Sequence, residues 1–156
     1  MKPSLDFLLK SEVDLDLKHI GDEHLITPSD TIKEITQDVI DLAEEMKVKM
    51  VEWNGIGLAA PQVGHNIRLI VLRLSTGTIC EMINPRISWC SEERVSMEEG
   101  CLSIPGTMKW IERPRKVRVK FQQADGQYKY WCLNKMDARV LFHEYDHLDG
   151  ILMVDK

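Results

Sequence analysis

Near the end of the chain, Phe142-His143-Glu144-Tyr145-Asp146-His147 places two histidines four residues apart. On an α-helix this spacing stacks them one turn apart on one side, so both imidazoles can reach a single metal ion. Glu144 then lies beside whatever the ion binds, positioned to act as a general base rather than a ligand. The same six residues would also suit a solvated helix carrying two histidines by chance, so the rest of the chain has to decide. A catalytic site of this type takes three protein ligands and keeps one position for water. Taken alone, the motif suggests a metalloprotease. Only nine residues follow His147, however, and none is His or Glu. The longer H-E-x-x-H-x-x-G-x-x-H pattern matches as far as Gly150 and then has Met153 in place of the last histidine. A third ligand must come from upstream. Cys101 is the best candidate, because thiolate is a strong ligand for this class of metal and Gly100 lets the backbone crowd the centre. His19, His24 and His65 each stand alone in polar segments and read as exposed side chains.

Several elements must bring these residues together. From Asp30, the residues Ile32, Ile35, Val39, Leu42, Met46 and Met50 recur at helical spacing, which predicts an amphipathic helix over 30–53. Asp30 or Thr31 would be its cap, Glu34 would lie in its first turn, and Asn54-Gly55 would stop it. Residues 55–64 (Gly-Ile-Gly-Leu-Ala-Ala-Pro-Gln-Val-Gly) are too small for a packed helix or strand; they suit a turn, or a backbone that passes close to something. No phosphate-loop pattern is present, and Gln62 alone there has a side chain able to donate a hydrogen bond. Residues 67–74 and 78–83 read as strands, Asn84-Pro85 as a break, and 86–90 as a short strand. Residues 98–106 read as a loop or irregular strand. Alternation over 115–123, the turn Asp125-Gly126 and residues 127–133 predict a hairpin. Asn134 would cap a helix from Lys135 to Leu148, with Gly150 past its end. The fold class expected is α+β: antiparallel sheets packed around the 135–148 helix, with the N-terminal amphipathic helix outside.

At 156 residues the chain is most simply one domain, 1–156, large enough to bury a core without disulfides. Hydrophobic residues at 44% and charged residues at 29% are ordinary for a soluble globular protein. A net charge of −5 gives no general reason to expect nucleic-acid partners. No stretch reads as a signal core or a bilayer span, so a cytoplasmic protein is expected, with an organelle or a phage-infected bacterial cytosol as other settings. Cys80, Cys90 and Cys132 lack any partner spacing and read as small buried hydrophobes.

Three segments, in order, resemble the peptide deformylase family: Gly55-Ile56-Gly57-Leu58-Ala59-Ala60-Pro61-Gln62, Glu99-Gly100-Cys101-Leu102-Ser103 and His143-Glu144-Tyr145-Asp146-His147. The resemblance spans about residues 30 to 155. It implies a mononuclear divalent metal held by Cys101, His143 and His147, usually Fe2+, with Zn2+, Ni2+ or Co2+ able to replace it. It also implies hydrolytic removal of the N-formyl group from N-formylmethionyl nascent peptides, releasing formate. The residues suit that chemistry in their own right. Glu144 can take and return a proton, and the Gln62 side chain and the Leu102 backbone N–H can stabilise an oxyanion. Gly57 and Gly100 would lie beside the peptide, and Ile56, Met97, Met136 and Val140 would line the pocket for the methionine side chain. Glu99, also at the substrate site, would pair with Arg113 and brace the Cys101 loop; plain packing and an ordinary surface pair are the plainer readings of these residues.

The chain departs from the family in three ways. Phe142 stands where the family has Gln before the first metal histidine, which predicts altered packing beside the site. The chain ends at Lys156 without the C-terminal helix that many members dock on the ribosome, so transient ribosome association by that route is in doubt. Residues 1–28 fit the family poorly. The competing functions are an H-E-x-x-H zinc peptidase and a non-catalytic metal-binding relative.

Overall fold

The computed structural model describes residues 15–156; residues 1–14 of the segment expected to fit the family poorly lie outside them. In chain order the regular elements are α1 (Gln37–Glu52), β1 (Gly57–Ala59), β2 (Leu69–Arg73), β3 (Ile79–Cys90), β4 (Arg94–Cys101), β5 (Ile104–Pro114), β6 (Lys116–Gln122), β7 (Tyr128–Asn134) and α2 (Lys135–Leu148). Five strands form one antiparallel sheet in the order β1-β2-β3-β6-β7, and β4 pairs with β5 as a separate antiparallel hairpin.

The pleat explains the layers. Ile70 and Leu72 of β2 point into the core shared with Leu141 and Leu148 of α2. Leu69 and Val71, between them, point to the opposite face and meet Met46 and Met50 of α1. A strand covered on both faces reads as an unbroken apolar run, which is why this strand was plain in the sequence. On β6, Val117, Val119 and Phe121 face α2, while Lys116, Arg118 and Lys120 point the other way. Phe121 meets Trp131 of β7 edge-on, with ring centroids 4.9 Å apart. A smaller core of Leu25, Ile104, Ile111, Leu152 and Met153 closes the space under the β4–β5 hairpin. The architecture is α+β, as expected.

Several expectations need correction. The first helix begins at Gln37, not near Asp30, with Thr36 as its cap. Residues before it are extended: Asp30 bridges to Ile67, and Ile32 exchanges two hydrogen bonds with the Asn84 side chain (2.9 and 2.8 Å). Ile32 and Ile35 are indeed packed into the core, so the periodicity reported burial correctly while the backbone followed another course. Asn84-Pro85 does not end a strand. β3 runs through it with a register shift, Asn84 taking a left-handed φ of 49° while its side chain bonds Ile32. A bulge accommodates a proline that cannot donate to the ladder. Of the two readings of residues 98–106, the irregular strand holds: they form the end and turn of the β4–β5 hairpin, with a register shift at Gly100/Cys101. Residues 57–59 form a short strand against β2. Asn134 precedes α2, but its side chain makes no capping bond. Of the cysteines read as buried, only Cys80 is; Cys90 and Cys132 are exposed. No helix among the described residues is long and apolar enough to cross a membrane.

Candidate metal centre

Cys101 ends β4, and His143 and His147 project from one side of α2, their ring centroids 5.1 Å apart. Their ligand atoms all lie within 4.8 Å of one another, the one such cluster of metal-binding side chains among the described residues. Cys101 Sγ lies 3.4 Å from His147 Nε2. A tetrahedral ion with ordinary metal–sulfur and metal–nitrogen bonds would separate those atoms by about 3.5 Å. The donor set therefore fits a divalent transition metal. His19, His24 and His65 are not part of it; His24 instead bonds the Asp22 carboxylate at 2.6 Å.

Glu99 organises the histidine side. Its Oε1 accepts from His143 Nδ1 (2.9 Å) and Arg113 Nη2 (2.9 Å); its Oε2 accepts from Arg113 Nε and Arg139 Nη1, both at 2.6 Å. Arg113 continues to Asp146 (2.9 Å), and Arg139 to the carbonyls of Ile111 (3.0 Å) and Val95 (2.6 Å). Two carboxylates and two guanidiniums thus balance inside the protein. Burial works against the charge on Glu99, but the bonds from His143 and Arg113 prevail and hold its pKa down to about 2. By donating Nδ1–H to Glu99, His143 leaves its Nε2 lone pair free to face the ligand cluster. The Glu99–Arg113 pair is buried, not an ordinary surface pair.

Burial also sets the other ionisations. It lowers the His147 pKa to about 3, keeping that imidazole neutral as a ligand must be. It raises the Glu144 pKa to about 7, with the His143 charge pulling the other way. For His143 burial disfavours the charge, yet Cys101 and Glu99 together lift its pKa to about 10 in the metal-free protein. That field attracts a proton, and it attracts a metal cation for the same reason. Glu144 Oε1 and His147 Nδ1 are buried with no hydrogen-bond partner among the described residues. A Cβ on Gly57 would sit 2.6 Å from Glu144 Oε2, so only glycine lets β1 pass this close to the carboxylate.

Cys101, His143 and Glu144 line a cleft of about 550 Å³, whereas His147, 1% exposed, is not part of its lining. Of the residues singled out from sequence, Ile56, Gly57, Gln62, Glu99, Gly100, Cys101, Leu102, Met136, Val140, His143 and Glu144 line it. Met97 does not. It belongs to an adjoining hollow with Val95 and Pro114, and Met136 and Arg139 border both spaces. The Gln62 carbonyl accepts from Ala59 N–H (2.9 Å), which turns its amide toward Ser103 Oγ (3.0 Å) and Cys101 Sγ (3.8 Å). Phe142 packs against the core between α2 and the sheet and does not line the cleft. Sequence reading missed Ser103, Met108 and Arg139. Met108 fills the space left by Gly100, its sulfur 2.9 Å from where a Cβ would be. Arg139 had one available signal: it lies one turn before His143 on the same face of α2.

The family model described as polypeptide deformylase matches residues 15–156. The chain belongs to the peptide deformylase family. A peptide deformylase of Synechocystis is 40% identical over 154 residues, covering 94% of this chain and 82% of the relative. The crystal structure of a probable peptide deformylase from Synechococcus phage S-SSM7 superposes with a TM-score of 0.86 at 43% identity, covering 91% of this chain and 99% of the other. A Met-Ala-Ser-bound peptide deformylase from Acinetobacter baumannii gives 0.87 at 32% identity, over 92% and 99% of the two chains. The match begins at Leu15, so residues 15–28, expected to fit the family poorly, are part of it. The chain is accordingly a deformylase, an enzyme of a metal-using family that removes the N-formyl group from nascent peptides.

Proposed function

We propose that Cys101, His143 and His147 hold one divalent metal, ferrous iron foremost with zinc, nickel and cobalt as substitutes, and that Glu144 is the proton-transferring group of formyl hydrolysis. The observation that carries this reading is the convergence of the thiol and two imidazoles on one another, beside the partnerless Glu144 Oε1, at a cleft lined by Cys101, His143 and Glu144. Such an ion supplies Lewis-acid chemistry, lowering the pKa of water and polarising the formyl oxygen. Glu144 accepts the proton from the attacking water and delivers it to the departing amine nitrogen. A C–O bond forms at the formyl carbon and the C–N bond breaks, leaving formate and a free N-terminus. Negative charge gathers on the former carbonyl oxygen, where the Gln62 side-chain N–H and the Leu102 backbone N–H donate. Gln62 is suited to that role because Ala59 fixes its amide orientation.

Glu99 acts through His143 and is a positioning residue. The methionine side chain is taken up among Ile56, Met136 and Val140, with Met97 acting only through the adjoining hollow. Gly57 and Gly100 let the peptide backbone come close. A substrate that is a nascent chain puts the reaction in the compartment of protein synthesis, here the cytoplasm.

The test is to incubate the iron-loaded enzyme without oxygen with formyl-Met-Ala-Ser and, separately, with an unformylated peptide containing an internal methionine. Formate released from the first and no cleavage of the second is the expected result. Internal cleavage without formate would make the enzyme an endopeptidase instead.

A further inference from the structure

The sheet extends beyond its helical cover. α1 packs on β1, β2 and β3, and the outward side of β6 and β7 carries exposed aromatic and basic side chains. Trp89, Tyr128 and Tyr130 are 42%, 58% and 71% exposed. Each lies within reach of a cation: Arg118 is 5.0 Å from the Trp89 ring centre, and Lys120 is 4.9 and 5.5 Å from those of Tyr128 and Tyr130. The register sets Lys120 between Arg86 on β3 and Tyr130 on β7.

Beside this face lies a hollow of about 540 Å³, bounded among others by Ser29, Arg68, Arg86, Lys120, Tyr128 and Tyr145. No carboxylate lines it. Arg68 is shared with Asp149 (3.0 Å) and the Leu148 carbonyl (3.3 Å), and Asp125 in the nearby turn is engaged with the Gln127 N–H. Ser29 is only 8% exposed, and its hydroxyl has no hydrogen-bond partner among the described residues. A basic hollow with an unmatched buried hydroxyl suits an oxyanion. Tyr128 lines the hollow, Tyr130 shares Lys120 with it, and Trp89 stands further along the same face beside Arg118; such exposed rings suit flat, stackable groups. In a chain of net charge −5 this local excess of positive charge is not a by-product of composition. The hollow and the catalytic cleft share no residue.

We infer that this hollow and the adjoining β3–β6–β7 face bind single-stranded RNA, with a phosphate held by Arg86, Lys120 and Ser29 and bases stacked on Tyr128, Tyr130 and Trp89. Exposed strand aromatics beside cations are how sheet surfaces take up unpaired bases and their backbone. Tyr128 and Tyr130, two residues apart on one strand, stand about 7 Å from each other, a spacing that lets neighbouring bases be splayed onto separate rings. The choice of RNA over DNA rests on the deformylase reading, since nascent peptides emerge from an RNA-rich particle.

The probe is a fluorescent 12-nucleotide oligouridylate titrated with full-length holoenzyme, with oligo(dT) of equal length and inorganic phosphate as competitors. The inference expects saturable binding that weakens about tenfold or more in Arg86→Gln/Lys120→Gln. That double variant should also lower the slope of log K against log salt by about 0.7, the share of one phosphate contact to a single strand. Tyr130→Ala should weaken binding about fivefold or more with the salt slope unchanged. Formate release by these surface variants should equal wild type, which shows that they fold. Absence of saturable binding, or binding indifferent to the double variant, would overturn the inference. Displacement by millimolar phosphate as effectively as by RNA would reduce the site to an anion site and overturn it as well, and equal affinity for oligo(dT) would refute the choice of RNA. None of the binding outcomes touches the catalytic reading, because the titrations contain no formylated substrate.

Discussion

Single residues around the metal centre divide into those that meet the substrate and those that hold the others still, and the two groups should fail differently. If Gln62 is the oxyanion donor proposed above, Gln62→Ala should lower kcat about 100-fold or more with little change in metal content, measured by formate release at matched metal loading. Glu99→Ala should do something else. It frees His143 Nδ1 and leaves Arg113 and Arg139 buried without their shared carboxylate, so metal affinity should fall about 10- to 100-fold. Stability should fall by about 3–5 kcal/mol as well, read by denaturant titration of the apo forms. The sequence showed His143, Glu144 and His147 because they share one turn of helix and their spacing is itself the signal. Arg139 carried only the weak signal of lying one turn before His143, and in a helix with many charges it looks like one more solvated residue until the fold places Glu99 against it. The sequence could not show that Met97 stops short of the cleft, since alternation along β4 gives the side of the strand but not how far the cleft reaches.

At the level of elements, α2 is held by its burial and β1 by its closeness. Leu141, fully buried between α2 and the sheet, should cost about 2–5 kcal/mol when replaced by alanine. Gly57→Ala pushes a methyl into the Glu144 carboxylate, so its activity loss should far exceed its change in melting temperature. α1 is tied to the sheet by Lys47, which donates to Glu81 on β3 at 2.7 Å. Burial raises the Glu81 pKa, but the Lys47 and Ala124 bonds outweigh it and the net shift is downward from the ordinary 4.5. A depressed carboxyl pKa contributes stability that is present above 4.5 and is lost as pH falls through the folded value. Wild type should therefore lose stability more steeply than Glu81→Gln as pH drops below about 4.5, measured by urea unfolding at a series of pH values. The elements themselves were mostly legible: the last helix and the β6–β7 hairpin fall within a residue or so of where patterning put them. The start of α1 was not, because Ile32 and Ile35 repeat at helical spacing while Asn84, fifty-two residues away, holds that segment extended.

Over the whole molecule, a sheet between two helices brings three separated segments, residues 55–64, 98–103 and 143–147, to the walls of one cleft. Each segment could be read locally, yet that they meet is a property of the fold. The protein should also be more stable with its metal than without: chelation should lower the melting temperature of wild type and leave Cys101→Ser nearly unmoved, seen by differential scanning calorimetry under nitrogen. The most direct measurement compares formate release from formyl-Met-Ala-Ser by wild type and Glu144→Gln, each purified anaerobically and each shown to carry about one metal per chain. The expected result is full metal content in both and a rate lower by about 100- to 10,000-fold in Glu144→Gln. A metal-loaded Glu144→Gln that releases formate at the wild-type rate would contradict the assignment of Glu144 as the proton-transferring group.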